Sequence, residues 1–140
     1  MKNKIVYCFF IFLTAFGAKA QMELFSLDEV RLKESPFKKA QDIDLMYILA
    51  LKPNKLLAPY LLDAGLPRKA NRYGNWENIG LDGHIAGHYL SALSMMYAST
   101  GNPELKNRLD YMLSQLAICQ EKNGNGYVGG IPQGKVFWGR

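Results

Sequence analysis

The stretch GLDGHIAGHYLSALSMMYASTGNPELK, residues 80–106, decides the fold because it holds one helical pattern and the start of the next. Apolar residues recur at helical spacing through its centre, and Gly101 stands where the first helix should end. Asn102 then supplies an N-cap, with Pro103 at the first position of a second helix. The stretch therefore predicts a helix over residues 83–99 that is followed at once by an antiparallel partner.

Further helical patterns precede this hairpin. Ser35 and Pro36 predict a helix start, and the apolar period continues over residues 37–51. Prolines and a glycine interrupt residues 53–67, which favours only one or two helical turns there. Residues 24–32 alternate imperfectly between apolar and polar, so they predict a short strand or an extended arm. Without a strand-rich region, the chain is predicted to be all-α and built from amphipathic helix pairs.

Residues 1–20 have the pattern of a secretory signal peptide. Two lysines precede an apolar run, residues 5–16, which is too short to span a bilayer as a helix. An Ala-Lys-Ala triplet at 18–20 gives a cleavage site, although an uncleaved membrane anchor is the alternative. We therefore expect a periplasmic or secreted protein, residues 21–140, that does not contact the membrane after cleavage.

The charge argues against a nucleic-acid-binding protein, and the cysteine content argues against a disulfide-stabilised one. The net charge is +5, but three lysines belong to the leader, so it falls to +2 without them. Because the basic residues are also scattered, the chain has no electrostatic surface for nucleic acid. Cys119 is the only cysteine after the leader, which excludes an internal disulfide. Its helical setting predicts a buried, small apolar side chain.

The two histidines of the chain, His84 and His88, lie four residues apart and therefore share one face of the predicted helix. That spacing suits two zinc ligands, but the metalloprotease pattern needs glutamate directly after the first histidine, where Ile85 stands. Gly83 and Gly87 would each cost about 1 kcal/mol relative to alanine inside a helix. Glycines at these positions indicate that another backbone or a ligand approaches closely.

The residues around this helix start favour sugar binding. Asp82 is the predicted N-cap, and Tyr73 and Trp76 lie upstream in a long polar loop. Carboxylates and imidazoles form hydrogen bonds with hydroxyl groups, and an aromatic ring packs on the apolar face of a sugar. The alternative is that Asp82 only caps the helix and that the histidines are buried hydrogen-bonding residues. The candidate substrate-binding residues are Trp76, Asp82, His84 and His88.

Two long segments, residues 35–67 and 73–130, resemble the N-terminal part of the β-L-arabinofuranosidase-like glycoside hydrolases, families 127 and 146. The most specific parts are LDGHIAGHYL at 81–90 and the Gly-Tyr-x-Gly-Gly loop at 126–130. The resemblance implies helical hairpins that form the opening part of an (α/α)6 barrel, truncated, with β-sandwich domains to follow. It also implies release of terminal L-arabinofuranose, with retention of configuration, from oligosaccharides or polysaccharides of plants or from glycoproteins.

The resemblance further implies which residues this chain lacks. In that family the nucleophile is a cysteine thiolate held on zinc by further cysteines and a glutamate, and a separate glutamate is the acid/base. These residues belong to a later region, so the resemblance implies no catalytic residue, metal ligand or cofactor within residues 21–140. Apolar residues at 136–138 follow a glycine-rich loop, as if a new element were starting.

We therefore expect residues 21–140 to be the N-terminal fragment of an (α/α)6-barrel catalytic domain, inactive alone. One alternative is a non-catalytic helical carbohydrate-binding or scaffold module. Another is a sugar epimerase or lyase on the same barrel.

Overall fold

The computed structural model describes residues 23–138, and every regular element within that range is helical. The all-α class is therefore confirmed. The predicted signal peptide lies outside the described residues and stays a prediction. The helices are α1 (Pro36–Ala50), α2 (Pro53–Asp63), α3 (His84–Thr100), α4 (Pro103–Asn123) and α5 (Gly134–Trp138), with a 3-10 helix (Asn75–Asn78) between α2 and α3.

The predicted hairpin is confirmed as α3 and α4, which pack against each other more extensively than any other pair of described elements. Gly101, with φ of 72°, ends α3 and donates its N–H to the Tyr97 carbonyl at 2.7 Å. The Asn102 side chain accepts the Glu104 N–H at 2.9 Å, so it caps α4 as expected. Local chemistry therefore fixes where this turn begins and ends.

Helix α2 shows that the prediction of one or two turns was wrong. The segment forms an 11-residue helix with Pro59 inside it. An interior proline lacks the N–H that would bond one turn back, at a cost of about 3 kcal/mol. However, Leu56, Leu57 and Leu61 are all buried, and each buried leucine contributes about 1.5–3 kcal/mol. Packing therefore outweighs the proline.

The core lies where α2 and the hairpin meet. Leu93 of α3 and Met112 of α4 are fully buried there, and Tyr89 is nearly so. Cys119, 1% exposed, joins this cluster, which confirms the predicted buried thiol. Helix α1 packs on α3. The core thus holds α3 against α1, α2 and α4.

The two ends of the described range lie outside this core. Residues 23–34 contain a turn but no strand and are exposed along their length, which favours the extended arm over the short strand. At the other end, α5 begins where the sequence predicts a new element. Its residues Val136, Phe137 and Trp138 are exposed.

Arg108 of α4 connects the hairpin to α1. Its guanidinium donates to the carbonyls of Leu49 and Leu51 at 2.7 and 3.1 Å, and to Glu104 at 2.7 Å. The carbonyls at the end of a helix have no partner within it and carry partial negative charge. One partly buried cation therefore satisfies the end of α1 and fixes its distance from α4.

We expect Arg108→Ala to lower the free energy of unfolding by about 2 kcal/mol, because the α1 carbonyls lose a charged donor. Urea unfolding followed by circular dichroism measures this. Lys106→Ala on the same helix is the control, since Lys106 makes only an exposed ion pair with Asp110 and should cost at most about 0.5 kcal/mol. Equal losses in the two variants would contradict the role given to Arg108.

Asp63, the last residue of α2, carries a carboxylate oxygen that is buried without a hydrogen-bond partner. Burial raises the pKa of this carboxyl, and the charge of Lys135 opposes the shift. The end of a helix also disfavours negative charge. The ionised form of Asp63 therefore costs stability at neutral pH.

We expect Asp63→Asn to raise the free energy of unfolding by about 1 kcal/mol at pH 7. Because the pKa is higher in the folded state, the penalty is absent below the unfolded pKa and appears as pH rises through the folded pKa. The gain should therefore vanish near pH 3, as thermal unfolding across pH can show. Asp110→Asn, at an exposed paired position, should give no gain at either pH.

Candidate functional site

The start of α3 is capped by Glu77 of the 3-10 helix. Its side chain is fully buried, and its two oxygens accept the Gly83 N–H at 3.0 Å and the Ile85 N–H at 2.8 Å. These donors have no partner inside the helix. The prediction that Asp82 caps this helix was therefore wrong: Gly83 occupies the N-cap position and provides no side-chain cap.

Asp82 instead stabilises the loop that precedes α3. Its side chain is buried, forms an ion pair with Arg72, and accepts the Gly80 N–H at 3.1 Å. Neither the role of Asp82 nor that of Glu77 is predicted by the sequence. A capping box places glutamate three residues after the N-cap, whereas Glu77 lies six residues before Gly83. Only the fold brings its carboxylate to the helix end.

Position 83 requires glycine because of its backbone conformation and because of the side chain packed against it. Its φ is +85°, and a Cβ there would lie 2.9 Å from Cε2 of Tyr60. The Tyr60 hydroxyl donates to the Gly83 carbonyl at 2.8 Å. Burial raises the pKa of Tyr60, and the charge of Glu77 raises it further, so this hydroxyl stays a neutral donor. The sequence predicted that another backbone or a ligand approaches both glycines. At Gly83 the close approach is made by the side chain of Tyr60, and among the described residues no other backbone approaches Gly87, which faces open space.

Three of the four predicted binding residues form a row of exposed rings. The ring centroids of Trp76 and His84 are 6.1 Å apart, and those of His84 and His88 are 4.7 Å apart in an edge-to-face arrangement. Trp76 is 58% exposed, and both histidines are exposed. The alternative of buried histidines is therefore excluded. Asp82 is close in sequence but does not present its carboxylate to this surface.

Three clefts adjoin this row, one beside each ring. His84 lines a cleft of about 370 Å³ with Tyr60, Tyr127 and Trp138, hereafter the His84 cleft. Trp76 lines one of about 470 Å³, the Trp76 cleft. A larger cleft of about 730 Å³ lies beside His88, between α1 and α3. The row of rings, Trp76, His84 and His88, thus forms a ridge between the three clefts.

The Gly-Tyr-x-Gly-Gly loop forms one wall of the His84 cleft. A Cβ on Gly129 or Gly134 would clash with the Tyr127 side chain. A Cβ on Gly130 would lie 2.9 Å from the Pro59 Cβ and 3.1 Å from the Asp82 carbonyl. The glycines therefore allow this loop to pack directly against α2 and the start of α3.

The described residues do not fit the zinc site that the resemblance implies for the full-length family member. Within 23–138, no three His, Cys, Asp or Glu side chains come together in a group able to hold a metal ion. Cys119 is buried in the core, and burial raises the pKa of its thiol. A cysteine that binds a metal does so as the thiolate, which this burial disfavours.

The family model for the GH127 catalytic domain of β-L-arabinofuranosidases matches residues 29–138. The chain belongs to this glycoside hydrolase family. The matched range contains the α-helices described above, α1 to α5, together with the row of rings and the glycine loop. No curated protein sequence matches the chain. From residue 23 to residue 138, none of the helices is both long and apolar enough to cross a bilayer.

We expect Glu77→Gln to lower the free energy of unfolding by about 2 kcal/mol, because an amide offers one acceptor oxygen where two backbone donors need partners. Hydrogen exchange at the Ile85 amide should accelerate more than exchange in α4. Glu121→Gln, at an exposed position of α4, is the matched control and should change stability by less than about 0.5 kcal/mol. Unchanged exchange at both the Gly83 and the Ile85 amides in the Glu77 variant would contradict the capping role.

Proposed function

We propose that this chain forms one wall of the sugar-binding site of an exported glycoside hydrolase that releases terminal L-arabinofuranose from plant glycans. The observation that carries the proposal is the GH127 match across residues 29–138. The His84 cleft supports it, because the cleft combines imidazole and phenol groups with an aromatic ring. Export rests on the signal-peptide pattern of residues 1–20.

The chemistry of the His84 cleft suits a small neutral sugar. The imidazole of His84 can donate or accept a hydrogen bond, and the Tyr127 hydroxyl can do both. Burial raises the pKa of Tyr127, and the charge of Asp63 raises it further, so its hydroxyl keeps its proton at neutral pH. Trp138 adds an apolar ring surface to the same cleft. His88 and Trp76 extend this set of groups along the ridge.

Asp82 lines the His84 cleft, but its carboxylate is buried in the ion pair with Arg72, so its side chain contributes to this proposal by positioning. Its ion pair with Arg72 holds the loop that carries Trp76 and Glu77 against the start of α3. Asp82 and Glu77 are both buried and bonded internally, so neither carboxylate faces a bound sugar. The resemblance implies a cysteine thiolate nucleophile on zinc and a separate acid/base glutamate, both in a later region of the family. We therefore expect the 140-residue chain to be inactive alone.

We expect the chain to bind methyl β-L-arabinofuranoside, and His84→Ala to weaken that binding about fivefold, the effect of losing about 1 kcal/mol of hydrogen bonding. Isothermal titration calorimetry measures both affinities. Phe37→Ala is the control, because Phe37 is an aromatic residue that is 75% exposed and lines none of the three clefts. Equal affinity in the wild-type chain and the His84 variant would reject the proposed site.

Hydrolysis separates the proposed enzyme from the alternative of a non-catalytic module. The 140-residue chain should not release p-nitrophenol from p-nitrophenyl β-L-arabinofuranoside. Release by this chain would contradict the expected position of the catalytic residues. A longer product of the same reading frame should hydrolyse the compound, with activity lost on adding a chelator. Binding without hydrolysis in that product would favour a carbohydrate-binding module.

A further inference from the structure

The Trp76 cleft has the features of a binding site that the family match does not assign. It lies between α1 and the 3-10 helix, and its volume of about 470 Å³ falls within the range of small-molecule sites, about 300–1,000 Å³. Tyr47 of α1 is 65% exposed and Trp76 of the 3-10 helix is 58% exposed, and both line the cleft. Two large aromatic side chains are therefore available to a ligand in one cleft.

Internal contacts hold the third aromatic side chain of this cleft in place. The Tyr73 hydroxyl accepts the Lys52 N–H at 3.0 Å, and the Lys55 ammonium lies 5.0 Å from the Tyr73 ring centroid. Asn75, beside Trp76, has a left-handed backbone with φ of 57°, a conformation that asparagine tolerates better than most residues. The wall is therefore formed before a ligand arrives, which lowers the entropic cost of binding.

The lining of the cleft indicates the class of its ligand. None of its eight lining residues is acidic or basic. Aromatic faces and one side-chain amide suit a neutral ligand with both apolar and hydroxyl-bearing surfaces. A sugar has both. A charged ligand would find no opposite charge among these lining residues.

The position of Trp76 connects this cleft to the His84 cleft. The Trp76 and His84 rings are 6.1 Å apart, and each ring lines a different cleft. We propose that the Trp76 cleft is a second sugar subsite, which holds glycosyl residues next to the arabinose bound beside His84. This inference rests on the proposed function and adds to it a preference for oligosaccharides over single sugars.

The two tryptophans of the chain allow the clefts to be observed separately, because Trp76 and Trp138 line different clefts. In the 140-residue chain, Trp138→Phe leaves Trp76 as the only tryptophan, and Trp76→Phe leaves Trp138. Each variant is titrated with methyl β-L-arabinofuranoside and with L-arabinotriose while tryptophan emission is recorded. We expect Trp138 emission to respond to both sugars and Trp76 emission to respond only to the trisaccharide.

Tyr47→Ala then tests the far wall of the Trp76 cleft. It should weaken trisaccharide binding at least about fivefold, as stacking on an aromatic ring would require, and leave monosaccharide binding unchanged. Phe37→Ala should change neither affinity.

Two results would overturn the second subsite alone: a trisaccharide response confined to Trp138, or unaltered trisaccharide affinity in the Tyr47 variant. A response of Trp76 to both sugars would overturn the division into two subsites. If neither tryptophan responds to either sugar, the proposed function fails together with this inference.

Discussion

The buried carboxylate of Glu77 is the contact on which the geometry of this surface depends. It accepts the Gly83 and Ile85 amides, so one side chain joins the 3-10 helix to the first turn of α3. Trp76 is the neighbour of Glu77, and His84 lies between its two partners. The distance between the tryptophan and the imidazole is therefore set by a contact beneath them. The exposed rings need no contact with each other to keep their spacing.

A second constraint is the close approach of backbone around Gly83. The Tyr60 ring covers one side of this residue, and Gly130 of the glycine loop packs against its Cα. The Tyr60 hydroxyl bonds the Gly83 carbonyl, so α2 is tied to the same point. Three segments distant in sequence thus meet at one glycine. The His84 cleft lies at this meeting point, since Tyr60, Gly83 and Gly130 all line it.

The sequence predicts the elements of this fold whose causes are local. The hairpin turn follows from Gly101, Asn102 and Pro103, each of which acts within a few residues of its own position. Helix α2 was underestimated because Pro59 gives a strong local signal, whereas the burial of its neighbouring leucines depends on the rest of the fold. Tertiary packing outweighed propensity there.

In the candidate site too, the features with local causes could be predicted and those that depend on tertiary packing could not. Trp76, His84 and His88 could be selected from residue type and helical spacing, and they do lie together. The roles of Glu77 and Asp82 could not be predicted from the sequence. An acidic residue near a helix start can cap the helix or accept hydrogen bonds elsewhere, and only the fold shows which backbone amides it reaches. The sequence places Tyr73 with Trp76 in the polar loop, whereas Tyr47 was missed as a lining residue because it comes from α1, a separate element.

The use of the two carboxylates also bears on what this surface can do. Asp82 and Glu77 are the acidic residues nearest in sequence to the row of rings, and both are buried in internal contacts. The Asp82 carboxylate pairs with Arg72, and the Glu77 carboxylate accepts two helix amides. Both carboxylates therefore face internal partners and are not presented to a bound substrate. The exposed groups of this surface are therefore imidazole, phenol, indole and amide groups, which can form the hydrogen bonds and ring contacts that the proposed sugar binding requires.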